Sequence, residues 1–432
     1  MRSLDAIASC LSGYDPNALH VDVARDFIRQ LVGVVTTTER LPIRSALGRV
    51  LAVDLMSPIN VPAHDNSAMD GYAFRGADLM PSGDTRLRVS GKVFAGDAVV
   101  ADATTPGRGE CVRIMTGAVM PVGLDTVVPQ EFVKTTAEAD EYIDVPAGAV
   151  KPGDNRRRMG EDLAVGHLAL TSGRILRPAD IGMLASLGQT EVSVFRRLRV
   201  AFFSTGNELR SVGDTLEAGC VYDSNRYTLW AMLTRLGVDV LDLGVVRDDP
   251  ITLASAFRQA AADSDAIITS GGVGVGEADH TKQVMASVGD VAFWSVAMRP
   301  GRPLAVGSVR NGESRGAVLF GLPGNPVAVM TTFYALVRDA LLTMSGSKEP
   351  PHPYVQAVTR SLIRKRPGRT EFQRAVVTQG ADGRLEVMVN GSQGSGMLRT
   401  MSEANALAVL AHDQGSIEPG QTVDVLLFDG LV

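Results

Sequence analysis

Three glycine-rich turns each follow a short apolar run that is typical of a buried β-strand. They contain Thr205-Gly206, Ser270-Gly271-Gly272-Val273-Gly274 and Pro323-Gly324-Asn325-Pro326. Glycine lets backbone N–H groups approach a ligand and tolerates positive φ. Parallel α/β sheets bind ligands just beyond the carboxyl ends of their strands. The turns therefore predict one pocket for a ligand that carries a phosphate or another oxyanion.

The middle turn lies in the segment Thr269 to Lys282, where a strand, a glycine loop and a helix start follow one another. Successive N–H groups of such a loop can form an anion-binding nest, and Asp279 would lie near the reacting centre. The spacing is neither G-x-G-x-x-G nor a P-loop, which disfavours a dinucleotide-binding dehydrogenase or a P-loop kinase. The alternative is a purely structural turn with Asp279 as helix N-cap.

Carboxylates follow the same strand ends. Glu208 comes after the first glycine turn, Asp248 opens a later helix, and Asp279 follows the middle loop. Mg²⁺ binds one or two carboxylates together with substrate phosphates, so these three acids are predicted metal ligands. Each acid taken alone is more often an N-cap.

Cationic groups flank a Pro-Gly turn, where Arg299 and Arg302 form a compact fork for oxyanions. A solvated basic turn is the alternative reading. At the third glycine turn, Pro326 suits the first position of a helix and Asn325 its N-cap, so the helix dipole would face an anion docked there.

The elements that position these groups alternate regularly between residues 195 and 347. Strands are expected at 199–204, 239–245, 265–269, near 304–308 and at 317–321. Helices are expected at 224–236, 250–262, 279–287 and 326–344. Such alternation predicts a doubly wound parallel sheet.

The flanking regions have different patterns. Residues 1–57 look helical, and a helix over 179–187 is expected to rejoin them. Residues 58–149 read as an inserted β domain with strands near 87–94, 111–114, 126–128 and 142–145. The expected domains are therefore 1–57 with 150–185, 58–149, 186–347, and a C-terminal β barrel or sandwich over 348–432.

Composition limits the function classes. The 432 residues are 45% hydrophobic and 21% charged with a net charge of −6, which is ordinary for a globular protein. No basic stripe indicates nucleic-acid binding, and no run of 18 apolar residues indicates a membrane span. Three scattered cysteines fit a reducing cytoplasm and no disulfide framework.

Seven motifs occur in an order that resembles one family. They are DNSAMDGYA at 65–73, RIMTGA at 113–118, N-x-R-x-x-G-E-D at 155–162, FSTGNEL at 203–209, RDDP at 247–250, SGGVGVGEADHTK at 270–282 and LPGNPV at 322–327. Together they resemble the molybdopterin molybdenumtransferases of the MoeA and gephyrin E-domain family, over nearly the full chain.

The resemblance implies that the α/β domain holds the pterin. The implied reaction takes adenylylated molybdopterin and molybdate and yields molybdenum cofactor and AMP, with Mg²⁺ required. It also implies an elongated homodimer, in which the inserted domain of one subunit reaches the pterin pocket of the other. Docking of other molybdenum-cofactor synthesis proteins is compatible with it.

The resemblance also assigns residues. Functional positions are Asp65 and Thr116 on the inserted domain, and the acids Asp162, Glu208, Asp248 and Asp279. Loops 270–274 and 323–326 would hold the pterin and its phosphate. Arg299 and Arg302, with Arg374 and Ser395 from the last domain, would bind molybdate.

This chain departs from the family pattern at four positions. Arg299 and Arg302 replace common lysines, and Gly274 and Ala328 each replace a common serine. Two other functions stay open at this point: a molybdopterin adenylyltransferase, which the central domain alone also resembles, and a non-catalytic scaffold of the same fold.

Overall fold

The computed structural model describes residues 3–97, 106–135, 141–274, 280–311, 314–389 and 391–430. The N-terminal segment contains α1 (Leu4–Cys10), α2 (Val21–Leu31), β1 (Thr38–Pro42) and β2 (Leu55–Met56). The inserted region contains β3 (Asn66–Ser67), β4 (Gly71–Phe74), β5 (Thr85–Val93), β6 (Glu110–Ile114), β7 (Thr126–Pro129), β8 (Lys134–Thr135) and β9 (Tyr142–Val145). The chain returns through β10 (Arg156–Arg157), β11 (Leu168–Leu170), α3 (Pro178–Ser186) and β12 (Glu191–Phe195).

The inserted region is a mixed sheet with the strand order β7-β4-β6-β5-β9-β8. Neighbouring side chains of β4 face opposite sides, as the period of two in a strand requires. Tyr72 and Phe74 belong to one hydrophobic cluster and Ala73 to another. The expected β domain is therefore confirmed.

Both ends of the insertion rejoin one another. The strand β1 pairs antiparallel with β12, and β2 pairs with β11. A hydrophobic cluster that includes Ala46 and Leu51 before the insertion, and Leu184 and Val192 after it, joins the two segments. This confirms that α3 packs with the first segment.

The central region begins with β13 (Arg199–Thr205), β14 (Leu209–Arg210), β15 (Val221–Tyr222), α4 (Ser224–Leu236), β16 (Asp239–Val246), α5 (Pro250–Asp263), β17 (Ala266–Ser270) and α6 (His280–Val288). It continues with β18 (Gly289–Ser295), β19 (Met298–Arg299), β20 (Pro303–Asn311), β21 (Ser314–Leu322), α7 (Pro326–Thr332), a π-helical segment (Phe333–Val337) and α8 (Arg338–Met344). Its sheet has the order β16-β13-β17-β21-β20-β18.

The first four strands of this sheet are parallel, as the alternation of strands and helices predicts. The sheet then extends differently from the expectation, because β20 pairs antiparallel with β21 and with β18. Short loops without a crossover helix join these strands, which is why they run antiparallel. The strand β18 was not expected from the sequence.

The helices α1 and α2 pack on this sheet. Ile7 and Phe27 lie in the same hydrophobic cluster as Phe202, Ile268 and Phe320 of the central strands. The domain boundaries stay predictions, but these contacts join the N-terminal helices to the α/β core.

The C-terminal region contains β22 (Val355–Thr359), β23 (Thr370–Gln379), β24 (Leu385–Val389), α9 (Leu398–Ser402), β25 (Ala406–Leu410) and β26 (Thr422–Leu427). Its strands follow the order β23-β24-β22-β26-β25, and β25 pairs back with β23. They form a closed five-strand barrel, so the barrel is confirmed and the alternative of a sandwich is excluded.

One helical stretch among the described residues, Pro326–Met344, has the length and apolar composition of a membrane span. Within it, 72% of the 18-residue apolar window is buried in the protein. That degree of burial is typical of a core helix.

Candidate functional site: two adjoining cavities at the carboxyl edge of the sheet

The three glycine turns follow three neighbouring strands of the sheet. Ser204 of β13 is in register with Ser270 of β17, and Ser270 is in register with Leu322 of β21. The carboxyl ends of parallel strands meet at one edge, so the turns converge there. This part of the sequence-based expectation is confirmed by the topology.

Two glycines in the middle loop are required by the backbone. Gly271 has φ +92°, and a Cβ atom there would lie 2.6 Å from the Thr205 carbonyl oxygen. Gly272 has φ +69°, and its Cβ would lie 2.5 Å from Thr281 Cγ2. Both conformations are strained for residues with side chains, so only glycine lets the loop approach the first turn and α6 this closely.

Asn225, at the start of α4, joins two of the loops. Its Nδ2 donates to Ser270 Oγ at 2.8 Å and to the Gly324 carbonyl oxygen at 2.6 Å. The residue is only 7% exposed, and its Oδ1 atom is buried without a partner among the described residues. A buried acceptor without a hydrogen bond costs free energy unless a donor from a ligand or a water reaches it. Asn225 therefore positions the two loops through Nδ2 and offers Oδ1 as an acceptor to a ligand.

Beside these loops lies a cavity of about 420 Å³, here called the glycine-loop cavity. It is lined by Thr205, Gly206, Glu208, Leu209, Asn225, Asp248, Ser270, Gly271, Gly272, Gly274 and Gly324. Predicted pterin-binding residues from all three turns are thus in one place.

Two of the predicted acids face this cavity. Asp248 Oδ1 accepts a hydrogen bond from Thr281 Oγ1 at 3.2 Å, and a Cβ on Gly206 would lie 2.7 Å from the Glu208 carboxylate. Asp279 lies outside the described residues. Among those described, no group of three or more His, Cys, Asp or Glu side chains is arranged around one point.

The two carboxylates nevertheless fit Mg²⁺, which uses one or two carboxylates together with substrate phosphates and water. Asp223 and Asp249 have a different task. Each caps a helix, Asp223 by accepting from the Arg226 N–H and Asp249 from the Thr252 N–H. Hydrogen bonds from the Thr252 side chain and from its N–H lower the pKa of Asp249.

A second cavity of about 580 Å³, here called the arginine cavity, adjoins the first. It is lined by Gly274, Met298, Arg299, Pro300, Gly301, Arg302, Pro303, Pro323, Gly324, Asn325, Ala328, Arg369, Gln393, Gly394 and Ser395. Gly274 and Gly324 line both cavities. The two therefore form one groove that runs from the acids to the arginines.

The basic turn is held against the barrel. The strand β19 pairs with β23, with Arg299 in register with Glu371. Arg302 Nε donates to Ser295 Oγ at 2.6 Å. Both arginines are exposed to the cavity, and Ser395 is brought beside them through the Val327 N–H, which donates to its carbonyl oxygen at 3.1 Å.

Arg374 lies behind this cavity and does not line it. It is 1% exposed, and its guanidinium donates to the Ser392 carbonyl oxygen at 2.8 Å. Burial lowers its pKa. Its backbone exchanges hydrogen bonds with the Gln393 side chain, so in this structure Arg374 supports the loop that carries Gln393 and Ser395. Direct binding of molybdate by Arg374 stays a prediction.

Asn325 takes the expected N-cap position and Pro326 the first helical position, without a side-chain cap hydrogen bond from Asn325. Its amide is therefore available to the arginine cavity. Pro326 lines neither cavity.

Three predicted site residues lie elsewhere. Asp65, Thr116 and Asp162 line neither cavity of this chain. Asp65 accepts from the Met159 N–H at 2.8 Å. The Thr116 N–H and hydroxyl both donate to Asp70, each at 2.7 Å, and lower the pKa of that carboxyl.

Comparisons with known proteins agree with this architecture. Residues 19–188 match the MoeA N-terminal region (domains I and II), 201–343 match a probable molybdopterin binding domain, and 356–428 match the MoeA C-terminal region (domain IV). The chain belongs to the MoeA family. It is 40% identical to a molybdopterin molybdenumtransferase of Haemophilus influenzae, covering 96% of this chain and 100% of that protein.

Other relatives extend this likeness. A molybdopterin molybdenumtransferase of a Nostoc species is 36% identical, over 90% of this chain and 88% of that protein. A crystal structure of a molybdopterin biosynthesis MoeA protein from Pyrococcus horikoshii superposes with a TM-score of 0.73 at 30% identity, covering 96% of this chain and all of that one. The MoeA fold is thus shared from end to end.

Sequence reasoning missed three polar side chains of the groove. Asn225 looked like an ordinary residue of a helix start, and Arg369 and Gln393 were not singled out. The signal for Asn225 was its place two residues after the helix cap Asp223, at the ligand-binding edge. No local pattern indicates Arg369 or Gln393, because their position depends on how the barrel docks.

Proposed function

We propose that this MoeA-family enzyme inserts molybdenum into molybdopterin during molybdenum-cofactor biosynthesis, and that it acts on adenylylated molybdopterin and molybdate and releases AMP. The observation that carries the proposal is the groove formed by the glycine-loop and arginine cavities. One end offers glycine loops and two carboxylates, and the other offers Arg299, Arg302 and Ser395.

The groove divides the substrates by charge. Loop N–H groups suit the phosphate of the pterin, and the Asn225 Oδ1 atom suits an N–H donor of its ring. The arginines suit a tetrahedral dianion. Because Gly274 and Gly324 belong to both cavities, the two substrates would lie next to each other. The chain's net charge of −6 opposes anion binding, so this local field must outweigh it.

Glu208 and Asp248 would hold Mg²⁺, which neutralises charge on the pyrophosphate of the adenylylated pterin when it is bound. The Thr281 hydroxyl orients Asp248 for this task, since it donates to Oδ1. Asp279 remains a third predicted ligand.

The test compares two adjacent carboxylates. Asp248→Asn removes a proposed Mg²⁺ ligand, whereas Asp249→Asn replaces one good helix N-cap by another and leaves the cavity unchanged. With adenylylated pterin, molybdate and Mg²⁺, Asp248→Asn should lower the rate of AMP release by at least about 10-fold, and Asp249→Asn should retain it. Equal rates for both variants would refute the metal assignment.

Asp65, Thr116 and Asp162 would act in the groove of a partner subunit of a homodimer. Their position outside both cavities of their own chain supports this. The Asp65→Asn and Asp248→Asn variants should each be inactive as homodimers. After equal amounts are mixed and exchange subunits, about half of the dimers should be heterodimers, each with one intact site of its two. About a quarter of the wild-type activity should therefore return. No recovery after verified subunit exchange would place all of these residues in one subunit.

Two alternatives are less well supported. An adenylyltransferase needs only the central domain, whereas this chain matches MoeA regions on both sides of it. A scaffold needs no cavity with paired acids. Incubation with ATP and bare molybdopterin distinguishes the adenylyltransferase from the proposed function, because formation of adenylylated molybdopterin would favour the adenylyltransferase. We also propose a cytoplasmic location.

A further inference from the structure

A third cavity of about 630 Å³ opens on the C-terminal barrel and is here called the barrel cavity. Nine residues line it, and five of them are cationic: Arg299, Arg364, Lys365, Arg366 and Arg369. Glu371 and Glu418 are the two carboxylates. Of these nine residues, Arg299 is the one that the sequence analysis assigned to a site.

The segment that carries most of these cations is held firmly. Ile363 and Ile417 exchange backbone hydrogen bonds of 2.9 Å in an antiparallel bridge. The Gly368 N–H donates to the His412 carbonyl oxygen at 2.9 Å, and the Lys365 N–H donates to Ser416 Oγ at 3.2 Å. The cavity is therefore part of the barrel framework and needs no rearrangement to form.

Lys365 places a buried charge at its base. The residue is 6% exposed, and its Nζ donates to the carbonyl oxygens of Arg366, His412 and Gln414 at 3.3, 3.1 and 2.6 Å. Burial lowers its pKa. Its three donors are used, so Lys365 acts on a ligand through its field.

The free donors belong to the arginines. Arg369 Nε is paired with Glu371 at 2.9 Å, and Glu371 also accepts from Gln373. Arg364 and Arg366 are exposed, and within the described part of the chain their side chains make no ion pair. Gathering like charges in one cavity is unfavourable unless an anion neutralises them, and a dianion suits this excess of positive charge.

The lining favours a small inorganic anion over a nucleotide. Leu362 is the apolar residue among the nine, and none of the nine carries an aromatic ring on which a base could stack. Guanidinium groups bind tetrahedral oxyanions through paired hydrogen bonds.

The barrel cavity also communicates with the groove. Arg299 and Arg369 line both it and the arginine cavity. An oxyanion that leaves Arg364 and Arg366 for the groove would therefore meet Arg299 and Arg369, whose cationic side chains line both cavities.

We propose that the barrel cavity is an outer oxyanion subsite, which captures a tetrahedral dianion such as molybdate at Arg364 and Arg366 and supplies it to the arginine cavity through Arg299 and Arg369. The identification of the dianion as molybdate rests on the proposed function. The existence of the subsite does not rest on that function, because binding of an oxyanion can be measured without turnover.

Equilibrium dialysis of the full chain with tungstate tests the subsite without turnover. The double variant Arg364→Gln/Arg366→Gln should bind one tungstate fewer per protomer than wild type, or bind it at least about 10-fold more weakly, as loss of hydrogen bonds to a charged group implies. Arg364→Lys/Arg366→Lys keeps the charge and should recover part of the binding.

The matched control is Arg360→Gln/Arg384→Gln. It removes two exposed charges from the same barrel outside the cavity, where they pair with Glu386 and Asp382. It should bind tungstate as wild type does. If the Arg364/Arg366 double variant and the control bind tungstate alike, the subsite is refuted.

Turnover then connects the subsite to the reaction. The Arg364/Arg366 variant should raise the KM for molybdate at least about 10-fold with little change in kcat, since the residues touch no reacting atom. An unchanged KM would refute the supply role. Failure of the wild-type protein to release AMP would refute the proposed function and leave the tungstate result intact.

Discussion

Replacement of Asn225 should loosen the groove at its centre. Its Nδ2 donates two hydrogen bonds, at 2.8 and 2.6 Å, and thereby joins the loop after β17 to the loop after β21. A typical intramolecular hydrogen bond contributes about 0.5–1.5 kcal/mol, so Asn225→Ala should lower the free energy of unfolding by about 1–3 kcal/mol.

Asn225→Asp makes a sharper test because it changes no volume. A carboxylate oxygen would face the Gly324 carbonyl oxygen and lose the donor, so burial and repulsion should raise the pKa of the new carboxyl. A protonated carboxyl can still donate. The stability deficit should therefore be small below the unfolded-state pKa of about 3.9 and grow as the pH rises from there to the raised pKa.

Unfolding in urea, followed by tryptophan fluorescence, measures both effects. The two tryptophans, Trp230 and Trp294, lie in the α/β region, so their signal reports that unit. The exposed Asn17 provides the control, and Asn17→Ala should change stability by less than about 0.5 kcal/mol. The reasoning fails if Asn225→Ala unfolds like Asn17→Ala and its KM for the pterin is unchanged.

Three further outcomes are expected. Burial raises the pKa of Cys111 to about 12, so a thiol reagent at pH 8 should modify the other two cysteines and leave Cys111 unmodified until the protein is unfolded. Burial opposes ionisation of Asp265, but hydrogen bonds from Arg196 and from a backbone N–H outweigh it and lower its pKa. Asp265→Asn should therefore cost about 2 kcal/mol at pH 7, and the difference should disappear as the pH falls from about 3.9 through the lowered pKa. Gly272→Ala should cost about 2 kcal/mol or more in unfolding experiments, because it adds left-handed strain to a clash with Thr281.

Each expectation has a control. Simultaneous reaction of all three thiols in the native protein would contradict the burial of Cys111. A stability difference for Asp265→Asn that stays constant down to pH 2 would contradict a role for the ionised carboxyl. Gly274→Ala is the matched control for Gly272→Ala, since no atom of the described residues lies within 4 Å of the Gly274 Cβ position and the φ of Gly274 is not left-handed. Equal stability of these two alanine variants would contradict the steric argument.

The sequence by itself determined the strand ends at which the ligand-binding loops begin. An apolar run indicates a buried strand, and the glycines that follow it indicate a backbone conformation that no other residue adopts easily. Because both signals are local, β13, β17 and β21 and their turns were predicted within a few residues. The same holds for the helix cap at Asn325.

Only the tertiary structure decided which residues meet across the fold. The packing of α2 on the sheet, the antiparallel edge formed by β18 and β20, and the burial of Arg374 behind its loop all depend on contacts between residues far apart in sequence. Asn225 bridges loops 45 and 99 residues away. Arg299 becomes part of a barrel cavity only because β19 pairs with β23. Periodicity and turn chemistry encode local burial and backbone conformation, whereas docking of whole elements is set by the shape of their combined surfaces.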